Sequence, residues 1–232
     1  METDLSTPDP DALLAIFDHD GVLVDTLKLH QDSWFELGRR TGLKLTPEFI
    51  HETFGMTNPT ILKMVLGDEA DDARIAELEN LKETSYRDLA RGRIALMDGV
   101  HETLDALTEA GVLLAIGSSG VRENLELTVS ECGLSGRFAT IVSGGDVTKG
   151  KPDPQVFLIA ADRAGVSPAR TVVFEDAPVG IQAAKAAGML AVGVASSHPD
   201  AALWEAGADE VVADLKGYDA AALIDRLRKR GG

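Results

Sequence analysis

Two hydrophobic rhythms divide this chain. The first apolar run, Ala15-Ile16-Phe17, stops at Asp18-His19-Asp20-Gly21 and resumes at Val22-Leu23, the pattern of a buried strand entering a turn. Alternate strand residues share a face, so Asp18 and Asp20 are expected to point one way and His19 the other. From 26 to 95 the pattern turns helical. Leu27, His30, Trp34 and Leu37 set a helix over 26–40, and helices over 60–66 and 70–91 follow. Thr46-Pro47-Glu48 reads as a helix start, with Thr46 as N-cap and Pro47 in the first position. No strand is expected in this stretch, and its charges read as solvated helix faces.

After Met97 the rhythm changes. A continuous apolar run at 112–116 and short strand patterns at 140–143, 171–174, 190–194 and 210–213 alternate with helical patterns at 100–110, 121–132, 154–164, 178–187, 200–206 and 219–230. Gly111 and Gly133 stop two of those helices. Short connections and strands apolar on both faces imply a parallel sheet covered by helices on each side. The expected fold is therefore α/β: a Rossmann-like core from 1–25 and 96–232, interrupted by an all-α insertion at 26–95.

Composition removes whole classes of function. The chain has 232 residues and a formal charge of −16, which argues against nucleic acid, since phosphate-backbone binders carry basic patches. An anionic ligand would need a local positive site. The single Cys132 can form neither an internal disulfide nor a thiolate zinc site and is expected in the core. Residues 1–12 are polar and acidic rather than signal-like, and no apolar run is long enough to span a membrane. A cytoplasmic protein with no membrane partner is expected.

In parallel sheets ligands bind beyond the carboxyl ends of the strands. Those positions hold Asp18 and Asp20, Ser118 and Ser119, and Glu175 with Asp176. Lys151 stands in the loop Gly150-Lys-Pro-Asp-Pro154. Each has an ordinary reading. The serines could cap the next helix, Lys151 could be a solvated turn residue, and Glu175-Asp176 could favour the start of the helix at 178. An EF-hand loop is excluded, because Gly21 comes fourth from Asp18 where that loop needs its glycine sixth. Together, four acids, a hydroxyl pair and one lysine suit phosphoryl transfer to a carboxylate. A phosphate dianion approaching an aspartate is repelled by ~4 kcal/mol per unit-charge pair at ~4 Å and an effective dielectric of ~20. A hard cation on oxygen ligands, with Lys151, would offset that cost.

Phe17-Asp-His-Asp-Gly-Val-Leu-Val-Asp-Thr26, Ile116-Gly-Ser-Ser119, Gly150-Lys-Pro-Asp-Pro154 and Val173-Phe-Glu-Asp176 resemble, in order, the four motifs of the haloacid dehalogenase superfamily. The resemblance runs from about residue 13 to 215 and implies a helical cap inserted after the first strand. It implies Asp18 as the nucleophile that forms an aspartyl-phosphate, and Asp20 as general acid and base. Ser118, with Ser119 beside it, and Lys151 would bind the phosphoryl group. Mg²⁺ would sit on Asp18, the Asp20 carbonyl and Asp176, with Glu175 as a further ligand or a neighbour of one. The second aspartate and the metal acids set this chain apart from the true dehalogenases, and Asp20 from the phosphonate-cleaving members. What remains is the phosphatase and β-phosphoglucomutase-like branch, to which Asp25-Thr26, His30, Trp34 and Ala177-x-x-Gly180-Ile181 are also similar. His30 is expected either to face the site from the cap or to pack; Trp34 is expected to pack.

The mutases carry a basic cap residue for the substrate's second phosphate. Here the matching stretch, Phe54-Gly55-Met56-Thr57-Asn58-Pro59, has none. After the serines stand Gly120 and Val121, with Arg122 as partial compensation. Hydrolysis of a small sugar or polyol phosphate is the favoured expectation and a phosphosugar mutase the alternative, with His30, Asn58 and Arg122 as cap-side or substrate contacts. A receiver-type signalling module also uses an acid pair, an aspartate, a hydroxyl and a lysine. It has its acid pair first, no cap and about half this length. A catalytically dead binding protein lacks support, because no expected catalytic residue is missing. The partner is then a small phosphorylated substrate. Oligomeric state is not fixed, and a monomer is expected.

Overall fold

A computed structural model describes residues 11–53 and 56–230. Six parallel strands form one sheet: β1 (Leu14–Phe17), β2 (Leu113–Gly117), β3 (Thr140–Val142), β4 (Thr171–Glu175), β5 (Leu190–Val194) and β6 (Glu210–Val212). Their order is β3-β2-β1-β4-β5-β6. The chain builds outward from β1 first on one side and then on the other, so the order reverses at β1, and the crevice beyond its carboxyl end is where such sheets bind ligands. Period-two alternation divides the core. Phe17, Ile116 and Phe174 face one side with α5 (Val100–Glu109) and α10 (Ala220–Arg230). Ile16, Ala115 and Val173 face the other, with α7 (Gln155–Ala164) and α8 (Pro178–Ala186). The rings of Phe17 and Phe174 stack at 4.6 Å, joining the two central strands beneath the crevice.

Between β1 and β2 lie α1 (Leu27–Thr41), α2 (Pro47–Glu52), α3 (Asn58–Leu66) and α4 (Asp72–Ala90). They bury an apolar cluster of their own, including Trp34, Leu37, Ile50, Leu62 and Leu78, so Trp34 packs as expected. The Thr46 hydroxyl accepts from the Phe49 N–H at 3.2 Å and caps α2. A bridge between Val24 and Leu96 ties the two passages into this insertion together. Three sequence expectations need correction. The helix expected from 60 begins at Asn58, because Pro59 is well placed in a first turn. The charges of α4 are not all solvated, since Lys82 and Glu83 are buried. Cys132, at the end of α6 (Arg122–Glu131), is half-buried at the edge of the core cluster that includes Phe17 and Ile116 rather than inside it. Phe54 and Gly55 of the expected cap stretch, and residues 1–10, lie outside the described residues. Among the described residues no helix is long and apolar enough to cross a membrane.

Candidate active site

Register places the acids. Phe17 pairs with Ile116 on one side and Phe174 on the other, so Asp18 leaves β1 level with Gly117 and Glu175. The Asp18 N–H donates to the Phe174 carbonyl at 2.9 Å, extending the ladder by one residue. Lys151, buried ahead of α7, donates to Asp18 Oδ1 at 2.9 Å and to Glu175 Oε1 at 2.6 Å. The other oxygen of Glu175 accepts from the N–H groups of Asp176 and Ala177 at 2.6 and 2.8 Å. Two glycines leave room for these acids. A Cβ at Gly180 would lie 1.7 Å from Glu175 Oε1, and one at Gly21, whose φ is +76°, would lie 2.0 Å from Asp176 Oδ2.

Carboxylate oxygens of Asp18, Glu175 and Asp176 all lie within 4.8 Å of one another, and all three residues are buried. Burial, with Glu175 and Asp20 adding to it, pushes the Asp18 carboxyl up to about 7 against the pull of Lys151. Burial also holds Asp176 well above the usual carboxylate range, helped by Glu175 and Asp18. Three buried acids thus converge where one ammonium reaches two of them, and the excess of acid groups, which adds to burial in raising Asp18 and Asp176, is one that a cation would relieve. The donors are all oxygens. That set fits a hard divalent ion such as Mg²⁺.

Asp20 is held differently. Its Oδ1 accepts from His19 Nδ1 at 2.9 Å, from His30 Nε2 at 3.2 Å and from the Thr26 hydroxyl. Its Oδ2 takes no hydrogen bond among the described residues and lies toward Gly120 and Ser118. Burial opposes ionisation here but is outweighed by the two imidazoles, which hold Asp20 well below the usual range. His30 stacks on Tyr86 at 4.3 Å, and its Nδ1 lies 2.8 Å from Lys82 Nζ. A lysine ammonium only donates, so Nδ1 accepts and the proton sits on Nε2, aimed at Asp20. Asp18, Asp20, Ser118 and Ser119 face His30, Lys82 and Trp34 across a cavity of about 50 Å³. A second cavity, of about 540 Å³, adjoins it between α3 and the loop after β3.

Residues 15–194 match the family of haloacid dehalogenase-like hydrolases. The chain belongs to that family. It is 34% identical over 213 residues to the chloroplastic 5-amino-6-(5-phospho-D-ribitylamino)uracil phosphatase of Arabidopsis thaliana, covering 91% of this chain. It spans 56% of that relative's length, little more than half. Validoxylamine A 7'-phosphate phosphatase of Streptomyces hygroscopicus is 31% identical, over 87% of this chain and 93% of that one. The β-phosphoglucomutase of Bacillus subtilis is 32% identical, over 79% and 84%. Among solved structures, a haloacid dehalogenase-type hydrolase of Entamoeba histolytica superposes with a TM-score of 0.83 at 26% identity, covering 93% and 99%.

In this haloacid dehalogenase-like hydrolase the residues singled out in the sequence fall in three places. Asp18, Asp20, Ser118, Lys151, Glu175 and Asp176 meet at one rim. Lys151 is no solvated turn residue, and the serines do not cap α6, whose N-cap is Val121 without a side-chain bond. Ser118 Oγ accepts from the Gly120 N–H at 3.1 Å, and Ser119 lines both cavities. Glu175 does serve the start of α8, through Ala177, as well as Lys151. His30 and Asn58 reach the small cavity from the insertion; the Asn58 amide donates to Glu83 at 2.7 Å and to Glu79 at 3.2 Å. Arg122 lines only the large cavity, held by Asp146 at 2.7 Å and the Ile141 carbonyl at 3.1 Å. Sequence reasoning missed Lys82, although Leu78, Lys82 and Tyr86 share the buried stripe of α4 at four-residue spacing. It also missed Ser197, whose hydroxyl donates to Asp176 Oδ2.

Proposed function

We propose that this chain is a Mg²⁺-dependent phosphomonoesterase for a small phosphorylated metabolite, a sugar or polyol phosphate, with residues 26–95 as a cap over the site. The observation that carries the reading is the Lys151 ammonium set between Asp18 and Glu175, with Asp18 itself lining a small cavity alongside Asp20, Ser118 and Ser119. Asp18 attacks phosphorus, forming a carboxylate–phosphorus bond as the alkoxide leaves. Asp20 gives the leaving oxygen its proton, then takes one from the water that cleaves the aspartyl-phosphate. Three donors on Oδ1 hold Asp20 ionised, the form that second step needs. The dianionic substrate brings the charge that favours its protonated form for the first. Ser118 and Lys151 hold phosphoryl oxygens, and His19 and His30 aim Oδ2. Asp18, the Asp20 carbonyl and Asp176 would hold Mg²⁺, with Glu175 beside them, and the ion would neutralise charge on the transferring group.

A mutase is the second reading, favoured by the Bacillus subtilis relative. It requires a fixed cation for a second phosphate. Asn58 is spent on two glutamates, Lys82 on Glu83 and His30, and Arg122 on Asp146. Lys63 lines the large cavity but stands exposed on α3. Hydrolysis needs no such anchor. The test is a panel of sugar, polyol and nucleotide monophosphates with Mg²⁺, including β-glucose 1-phosphate with a trace of glucose 1,6-bisphosphate. Release of inorganic phosphate from some monoester, abolished by EDTA and restored by Mg²⁺, is expected. Rapid formation of glucose 6-phosphate with little phosphate released would overturn the hydrolase in favour of the mutase.

A further inference from the structure

The mechanism leaves one buried carboxylate without a task. Glu83, on α4, is 4% exposed, and none of its hydrogen bonds reaches Asp18, Asp20 or Lys151. It nonetheless gathers donors from three elements. Lys82 Nζ at 2.6 Å and Asn58 Nδ2 at 2.7 Å donate to Oε1, and Asn124 Nδ2 donates to Oε2. Asn58 and Lys82 belong to the insertion, whereas Asn124 belongs to α6, on the core. Asn124 is 2% exposed, and Arg87 of α4 donates to its Oδ1 at 3.3 Å. A core amide is thus set between an acid and a base of the insertion, with its donor and its acceptor both used. Neither bond can form unless α4 is seated on α6.

The same carboxylate holds Lys82, Lys82 fixes the tautomer of His30, and His30 donates to Asp20 Oδ1. The line Asn124–Glu83–Lys82–His30–Asp20 starts on the core, passes through the insertion and returns to the core beside the nucleophile. We infer that Glu83 and Asn124 are positioning residues that make the aim of Asp20 depend on the insertion being seated. Without Asn124, one oxygen of a buried carboxylate loses its donor. The carboxylate must then turn toward water or draw Lys82 further onto itself. In either case Lys82 no longer holds Nδ1 of His30 as an acceptor. An unseated insertion admits water, so tying the aim of the proton-transfer group to closure keeps reaction and exclusion of water in step. The inference rests on Asp20 as the proton-transfer group.

The experiment has two readouts. Histidine-selective ¹⁵N spectra, assigned with His30→Asn, report the tautomer of His30 without any turnover. The protonated nitrogen should be Nε2 in the wild type and should average between both nitrogens in Asn124→Ala and in Glu83→Gln. Kinetics on whichever monoester the panel identifies should show kcat falling about tenfold in Asn124→Ala, the order expected for a lost charge-assisted hydrogen bond. That loss should vanish in the Lys82→Met background, where Asn124→Ala adds nothing. Arg74→Ala, an exposed ion pair on the same helix, should leave both readouts unchanged. A His30 tautomer unaffected by either variant overturns the inference, as does a kcat loss that multiplies independently of Lys82. Should Asn124→Ala not fold, Glu83→Gln carries the same cycle. A wild type that releases no phosphate from any ester overturns the reading of the site, while the tautomer still decides the inference.

Discussion

Two buried polar clusters meet at this site, and they are built on opposite principles. At the strand ends, Asp18, Glu175 and Asp176 converge, and a single ammonium, that of Lys151, pairs with the first two. In the insertion, Lys82 and Glu83 pair one to one, and Asn58 together with Asn124 of the core satisfies the remaining carboxylate positions. The first cluster is unbalanced and therefore incomplete without a ligand, because uncompensated buried charge is costly. The second is balanced, its charges paired within it, so its members are fixed in place even where they line the small cavity. An open cluster supplies chemistry, and a closed one supplies orientation.

Removing one acid from each role is the strongest way to break that contrast. Asp18→Asn should reduce turnover to background, since the attacking oxygen is gone and an amide does not replace it. Asp20→Asn should keep its carbonyl for a cation but lose proton transfer, a fall of ~10²–10⁴-fold in kcat. Steady-state rates beside cation binding by calorimetry check both. Near wild-type turnover in Asp18→Asn would remove the nucleophile assignment, and near wild-type turnover in Asp20→Asn would remove the proton-transfer role.

The contrast also explains what was legible in the sequence. The open cluster sits at strand ends, where an apolar run stopping at a carboxylate is visible within five or six residues, as in Phe17-Asp18 and Phe174-Glu175-Asp176. The central strands β1, β4 and β5 were legible for the same reason, because they are buried on both faces, and the observed bounds of the strands fall within a residue or so of those expected. The closed cluster is assembled from residues 30, 58, 82, 83 and 124, carried by four helices. A lysine beside a glutamate on a helix reads as surface until its neighbours are known. Only the four-residue spacing with Leu78 and Tyr86 distinguished Lys82. Asn124 carried no signal at all, since its role depends on how α4 crosses α6.

A second pair of variants sharpens the comparison from the metal side. Asp176→Asn removes one of three converging acids and should weaken Mg²⁺ binding by at least tenfold while leaving the fold intact. Lys82→Met should leave Mg²⁺ affinity unchanged. It should cost stability, about 3 kcal/mol, because Glu83 stays buried without its cation. Calorimetric titration with Mg²⁺ and denaturant unfolding of both proteins separate the two. A loss of Mg²⁺ affinity in Lys82→Met equal to that in Asp176→Asn would mean that the clusters act as one.

The smallest expected effect follows from the proton balance of the open cluster. Asp18 rises from 3.8 to about 7 on folding, first through burial and then through Glu175 and Asp20, so the folded protein binds this proton more tightly than the unfolded chain. The resulting stability is complete below pH ~4 and is lost as pH rises through 7. Asp176, raised by burial and by Glu175, contributes with the same sign. So does His19, where burial is outweighed by Asp20 and the contribution fades above pH 6.5. His198, lowered by burial, opposes them, and Asp20, held low, changes only below this window. Without divalent ions the protein should therefore lose on the order of 2 kcal/mol between pH 5.5 and 8, or roughly 5 °C in Tm. Saturating Mg²⁺ binds the deprotonated acids, so the Tm it adds should grow across the same interval. Scanning calorimetry in EDTA and in Mg²⁺ at both pH values measures this directly. A metal-free Tm that rises with pH, or a Mg²⁺ increment that shrinks, would mean that the strand-end cluster is already balanced and that the contrast with the insertion fails.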